Sequence, residues 1–112
     1  TCCCARFHNN GTVVVANAGH PLPYADGRES DVPSGLPLGV VDDVVFDEVA
    51  RQGQWWTFLS DGVVEAANAT GELFGFDRTA AISTKPAKEI AAAAKAWGQN
   101  DDITVVTVRR LA

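Results

Sequence analysis

WWTFLSDGVVEAAN, residues 55–68, is the stretch whose reading decides the fold. Trp55, Trp56 and Phe58 favour a strand over residues 55–60, because large aromatic side chains suit a pleated, half-buried surface. After Asp61 the pattern turns helical, and a short helix is expected over residues 63–68, closed by the turn residues from Asn68 to Gly71. Asp61 thus stands at the mouth of an apolar strand. A second acidic pair, Asp101-Asp102 in NDDITVVTV (residues 100–108), precedes another apolar strand. A carboxylate at a strand end offers hard oxygens at a fixed point, the donor type that Mg²⁺ or Mn²⁺ selects. Aspartate before glycine or before a strand is also ordinary turn chemistry, since its short side chain accepts backbone N–H bonds. Read singly, each cluster is a turn; read together, they suggest a metal site.

Upstream of this stretch the pattern is mostly strand. Residues 2–7 and 12–18 flank Asn9-Asn10-Gly11 and read as a hairpin, with Asn-Gly supplying the positive φ angles of a tight turn. NAGHPLPY (residues 17–24) is interrupted by Gly19 and two prolines, and Pro21 pushes His20 toward an extended backbone. A turn follows at Asp26-Gly27. PSGLPLGV (residues 33–40) is a loop that nevertheless carries Leu36 and Leu38, so it is expected to pack down onto the domain. Residues 44–50 and 55–60 read as a second antiparallel pair joined through residues 51–54.

Downstream, residues 74–82 hold a further helical turn or two. Residues 86–97 form the clearest helix: Pro86 opens it, Glu89 lies in the first turn, Lys95 comes late and Gly98 follows. Ile90, Ala94 and Trp97 share one face, which is expected to pack on a sheet. Residues 103–108 read as a buried strand. The order of strands, then helices, then a strand indicates an α+β domain of antiparallel sheets with helices packed on the outside.

The chain has 112 residues, enough for one domain with a modest core. Hydrophobic residues make up 46% and charged ones 21%, which is globular and not disordered composition. A net charge of −5 with scattered Lys and Arg argues against nucleic acid and anionic membrane as partners. No apolar run is long enough to span a bilayer. Cys2, Cys3 and Cys4 lack a distant partner, which argues against a secreted disulfide framework and for a reducing cytoplasm. Successive strand side chains point to opposite faces, so the three thiols read as small buried strand residues and not as a metal cluster. The chain contains no methionine and opens inside a strand, and is therefore expected to be part of a longer protein.

ANAGHPLPY, SGLPLGV, FLSDGVVEAANATGELFG and NDDITVVTV occur in the order and rough spacing seen in the SpoIIE-like branch of the metal-dependent serine/threonine phosphatases, bacterial relatives of the type 2C enzymes. The chain resembles the C-terminal portion of that domain over nearly its whole length, residues 1–112. The resemblance implies an αββα sandwich with a two-ion Mn²⁺ or Mg²⁺ centre at one end of the sheets. It makes Asp61 and Asp101 the metal ligands, with Gly62 and Asp102 as their neighbours. The implied activity is hydrolysis of phosphoserine or phosphothreonine by metal-activated water, with two ions about 4 Å apart and no protein nucleophile. The implied substrate is a phosphorylated protein of the anti-sigma-factor-antagonist type, in a stress or developmental switch.

His20 has two readings: a general acid, or a residue that shapes its turn. Glu65 and Asn68, one turn beyond Asp61, are either supports of the metal site or solvated surface. The resemblance also implies an aspartate-glycine pair in the other half of the domain that bridges both ions. The alternative to an enzyme is a truncated, non-catalytic module that binds partners, and uncovered strand edges lead us to expect a homo-oligomer.

Overall fold

The computed structural model describes residues 1–111. Its elements, in chain order, are β1 (Cys2–Phe7), β2 (Thr12–Ala18), β3 (Tyr24–Ala25), β4 (Arg28–Glu29), β5 (Glu48–Gln52), β6 (Trp55–Leu59), α1 (Asp61–Val64), α2 (Gly75–Ile82), α3 (Ala87–Gly98) and β7 (Val105–Arg109). The strands form two antiparallel sheets, β1-β2-β5 and β4-β3-β6-β7.

Period-2 alternation on β6 assembles the layers. Trp56 and Phe58 face the first sheet, where Trp56 joins Val13, Val15 and Val32 in one core and Cys3, Ala5, Val49 and Phe58 pack around it. Leu59 faces the other way and meets Tyr24, Val63, Val64, Ala66, Phe74, Ile90 and Ala94 in a second core beneath the helices. The result is sheet on sheet, with helices on the second sheet; among the described residues no helix covers the outer face of the first. This is an α+β domain and supplies three of the four layers of an αββα sandwich. Among the described residues no helix is long and apolar enough to cross a membrane.

The first hairpin has the expected strands, paired from Cys2↔Ala18 to Phe7↔Val13. Its turn differs: Gly11 N–H donates to His8 O (3.1 Å), and Gly11 alone in the loop has positive φ (89°). This is the longer hairpin loop with glycine in the left-handed position, not a two-residue Asn-Gly turn. Asp26 (φ 49°) and Gly27 (φ 87°) make the two-residue turn, between β3 and β4.

The second predicted pair does not form. The strand is Glu48–Gln52, not residues 44–50, and it pairs with β2 from Thr12↔Gln52 to Ala16↔Glu48. β6 lies in the other sheet between β3 and β7, because it has apolar side chains to bury on both faces. β5 has a single inward apolar residue, Val49, and fits a sheet edge. The Asp26 carboxylate receives the N–H groups of Gln54 and Trp55 (2.9 Å to the latter) where the chain crosses between sheets.

Other expectations are corrected in detail. Residues 33–40 touch the domain through Gly35, whose N–H donates to Asn17 O (2.9 Å), and through Pro37, which lies against Gly19; Leu36 and Leu38 stay about half exposed. β7 is an edge strand with Val106 51% exposed and none of its residues fully buried. α1 starts two residues earlier than expected and spans Asp61–Val64. Of the cysteines, Cys3 packs on the inter-sheet core, while Cys4 is exposed.

Candidate functional site

Asp61 is the first residue of α1, exposed, directly after β6 ends at Leu59. The β6–β7 ladder fixes its position. Leu59 pairs with Val105, and Ser60 extends the pairing: its N–H donates to Thr104 O (2.9 Å), and its hydroxyl donates to Asp102 O (3.2 Å) and accepts from Thr104 N–H (2.9 Å). Both acidic clusters thus flank one hydrogen-bonded seam.

Gly62 lets the two sides close. It is buried, and a Cβ built on it would lie 2.1 Å from the Asp102 carbonyl oxygen and 3.5 Å from that of Asp101. Any side chain there would force α1 away from the Asp101-Asp102 segment. Asp101 and Asp102 are themselves exposed, and Asp101 Oδ1 accepts the Asp102 N–H (2.7 Å), which fixes the carboxylate by an N–H bond of the turn type. Asn100 completes the corner by accepting Ala67 N–H at its side-chain oxygen (2.7 Å). Asp61, Gly62, Asp101 and Asp102 therefore meet at one corner through their backbones.

An open cleft of about 630 Å³ lies on the Asp61 side of this corner. His20, Glu29, Asp61, Glu65 and the apolar Leu73 and Phe76 are among its lining residues, whereas Asp101 and Asp102 are not. Among the described residues that line it, none is lysine or arginine. His20 reaches the cleft because Asn17, 2% exposed on β2, brackets its backbone. The Asn17 amide donates to His20 O (2.8 Å) and its oxygen accepts His20 N–H (2.9 Å). His20 Nδ1 lies 3.3 Å from Thr1 Oγ1. Glu65 lines the cleft, but Asn68 does not: its oxygen accepts from Thr70 N–H, Thr70 Oγ1 and Glu72 N–H (2.8–3.1 Å), which makes it the clamp of the 68–72 turn.

Sequence reasoning missed Asn17, Ser60 and Asn100. Asn17 carried a signal, a polar residue at an inward position of an otherwise apolar strand, which calls for a specific hydrogen-bonding task. Glu29, on the short β4, carried none, because its place in the cleft depends on the β3–β4 turn.

Tyr24, on β3, is buried in the core between the second sheet and the helices, 2% exposed, and its hydroxyl has no hydrogen-bond partner. Burial, followed by the nearby Glu29 and Asp77 carboxylates, pushes its pKa up to about 12. The phenol stays neutral.

The carboxylates at the corner are the hard oxygen donors that Mg²⁺ and Mn²⁺ select, and they fit part of such a site. Among the described residues no three His, Cys, Asp or Glu side chains gather into a ready ligand cluster.

No curated protein matches the sequence. Two solved structures share the fold. One is the crystal structure of the RsbU and RsbW domains of Rv1364c from Mycobacterium tuberculosis, 24% identical, with a TM-score of 0.68 over 96% of this chain and 35% of that one. The other is the SiaA-PP2C domain of Pseudomonas aeruginosa, 22% identical, with a TM-score of 0.60 over 89% of this chain and 47% of that one. The chain therefore spans a third to a half of the length of these relatives. The family model of Stage II sporulation protein E (SpoIIE) matches residues 1–111, and the chain belongs to that family.

Proposed function

We propose that this chain is the C-terminal, metal-binding part of a phosphoprotein phosphatase domain that hydrolyses phosphoserine or phosphothreonine. One observation carries the reading: Gly62 seated on the Asp102 carbonyl, which draws Asp61 and Asp101 to a single corner beside an acidic cleft. A phosphate dianion would be repelled by Glu29, Asp61 and Glu65 with no lysine or arginine to receive it, so a cation has to supply the attraction. Asp61 and Asp101 would hold Mn²⁺ or Mg²⁺ there, and Gly62 and Asp102 keep the two carboxylates in register. Such ions, when held at this corner, would supply an acidified water and offset phosphoryl charge. The remaining oxygen donors come from water, substrate or chain outside these residues.

Membership of the SpoIIE family and the fold shared with a PP2C domain support this assignment. The family resemblance suggests a phosphorylated protein of the anti-sigma-factor-antagonist type as substrate, in the cytoplasm. His20 presents its ring from a clamped backbone at the edge of the cleft and is suited to position or protonate a leaving oxygen.

A second reading rests on the first sheet. A groove of about 400 Å³ opens between β1 and β7, lined by Cys3, Ala5, Phe7, Phe58, Val106 and Val108, with Phe7 42% exposed. Such an open apolar seam between unpaired strand edges favours a non-catalytic module that associates with itself.

Calorimetric titration with Mn²⁺, paired with Mn²⁺-dependent hydrolysis of p-nitrophenyl phosphate, tests the assignment. Asp61→Asn and Asp101→Asn should each weaken Mn²⁺ at least about tenfold, the scale expected when a charged ligand of a divalent ion is neutralised. Unchanged affinity in both variants refutes it, and a dimer in sedimentation without Mn²⁺ binding would select the second reading.

A further inference from the structure

We propose that Leu73 and Phe76 form an anchor for an apolar side chain carried a few residues from the phosphorylated serine or threonine of a protein substrate. This rests on the phosphatase reading and names what the same cleft selects. Both residues line the cleft that holds Asp61, and both are open to solvent, at 50% and 62% exposure. Large apolar side chains held in water beside a polar site are the usual mark of a recognition surface.

The segment around them is built to hold them out. Phe74, between them, is buried at 6% exposure and meets Trp97 edge to face at 6.0 Å, which turns its neighbours toward solvent. Trp97 Nε1 donates to Glu72 O (2.8 Å). Arg78 lies over the Trp97 ring at 4.2 Å, donates to Leu73 O and Phe74 O (3.1 Å each) and pairs with the Glu72 carboxylate at 2.8 Å. With Asn68 clamping the turn, the backbone from 68 to 78 is tied at both ends, so the anchor is ordered before a ligand arrives and little entropy is lost on binding. The occupant follows from continuity with the acidic corner. A phosphoryl group drawn to a cation at Asp61 would bring the residues that flank it, at about 3.3 Å per residue if extended, into the same cleft, whose apolar lining includes Val64, Leu73 and Phe76.

The test measures fluorescence anisotropy of two labelled peptides in Mn²⁺. Each contains a non-hydrolysable phosphonate mimic of phosphoserine, flanked in one by leucines and in the other by serines. The parent chain should prefer the leucine peptide about tenfold, which is the burial of one aliphatic side chain. Phe76→Ala and Leu73→Ser should erase the preference while calorimetric Mn²⁺ affinity and circular dichroism stay those of the parent. Equal binding of both peptides by the parent overturns the anchor and leaves the metal reading intact. Loss of Mn²⁺ binding in the parent with the leucine preference retained overturns the metal reading and leaves the anchor standing. A preference that survives both substitutions, or substitutions that act only on self-association in sedimentation, also overturns the anchor.

Discussion

Gly62→Ala should be strongly destabilising, although alanine is the better helix former. At an open position in a helix this change stabilises by about 1 kcal/mol. Here the new methyl would lie 2.1 Å from the Asp102 carbonyl oxygen, so α1 and the Asp101-Asp102 segment must separate by about 1 Å to restore ordinary contact. Overpacking of that kind costs roughly 1–3 kcal/mol. The separation also stretches the Ser60 hydrogen bonds to Asp102 and Thr104 (2.9–3.2 Å), each worth about 1 kcal/mol. The sum is about 3 kcal/mol, a fall of roughly 10 °C in the thermal midpoint of a domain this size. A 1 Å shift also exceeds the roughly 0.2 Å tolerance of metal–ligand distances, so Mn²⁺ affinity should drop more than about tenfold. Melting followed by circular dichroism reads the first effect and calorimetric Mn²⁺ titration the second. Asp61→Asn, which leaves the packing intact, should lower only the second. A Gly62→Ala protein that melts within about 2 °C of the parent and binds Mn²⁺ as well refutes the packing argument.

Asn17→Ala should cost about 2 kcal/mol in chemical denaturation, because it leaves the N–H and C=O of His20 without the partners that bracket them at 2.8 and 2.9 Å; an unchanged midpoint would show that water replaces the amide. Tyr24→Phe should raise stability at neutral pH by about 1 kcal/mol, since it removes a buried hydroxyl with no partner. The same residue sets a pH dependence. Its folded pKa is raised, so its contribution is complete below the ordinary tyrosine value near 10 and is lost as pH rises toward about 12; Tyr24→Phe should flatten that decline, and a parallel decline in both proteins would refute the assignment.

The strand-to-helix switch at Asp61 was legible because it is local: aromatic strand formers end, and a short polar segment begins within a few residues. The first hairpin and the helix from 87 to 98 were legible for the same reason. Partner choice was not. Residues 48–52 and 55–59 are neighbours in sequence, both strand-like and joined by two residues, yet each pairs elsewhere. What separates them is how many faces each must bury, and that depends on the helices packing from the far side. Leu36 and Leu38 were misplaced because apolar character alone does not say whether a surface is available to cover it.

The acidic corner is assembled by contacts between segments far apart in sequence. Asp61 and Asp101 are separated by 40 positions and by α2 and α3, and local pattern gave each only the chemistry of a turn. The contact that unites them runs through groups with no side-chain signature: the Gly62 Cα, the Asp102 carbonyl and the backbone of Ser60 and Thr104. Backbone contact of this kind holds position while the Asp61 and Asp101 side chains stay exposed, with Asp101 Oδ1 engaged by the Asp102 N–H. The cleft beside them adds electrostatic direction. Its three carboxylates repel a bare phosphate and attract cations, so on the proposed metal-dependent reading an ion would bind before the phosphoryl group.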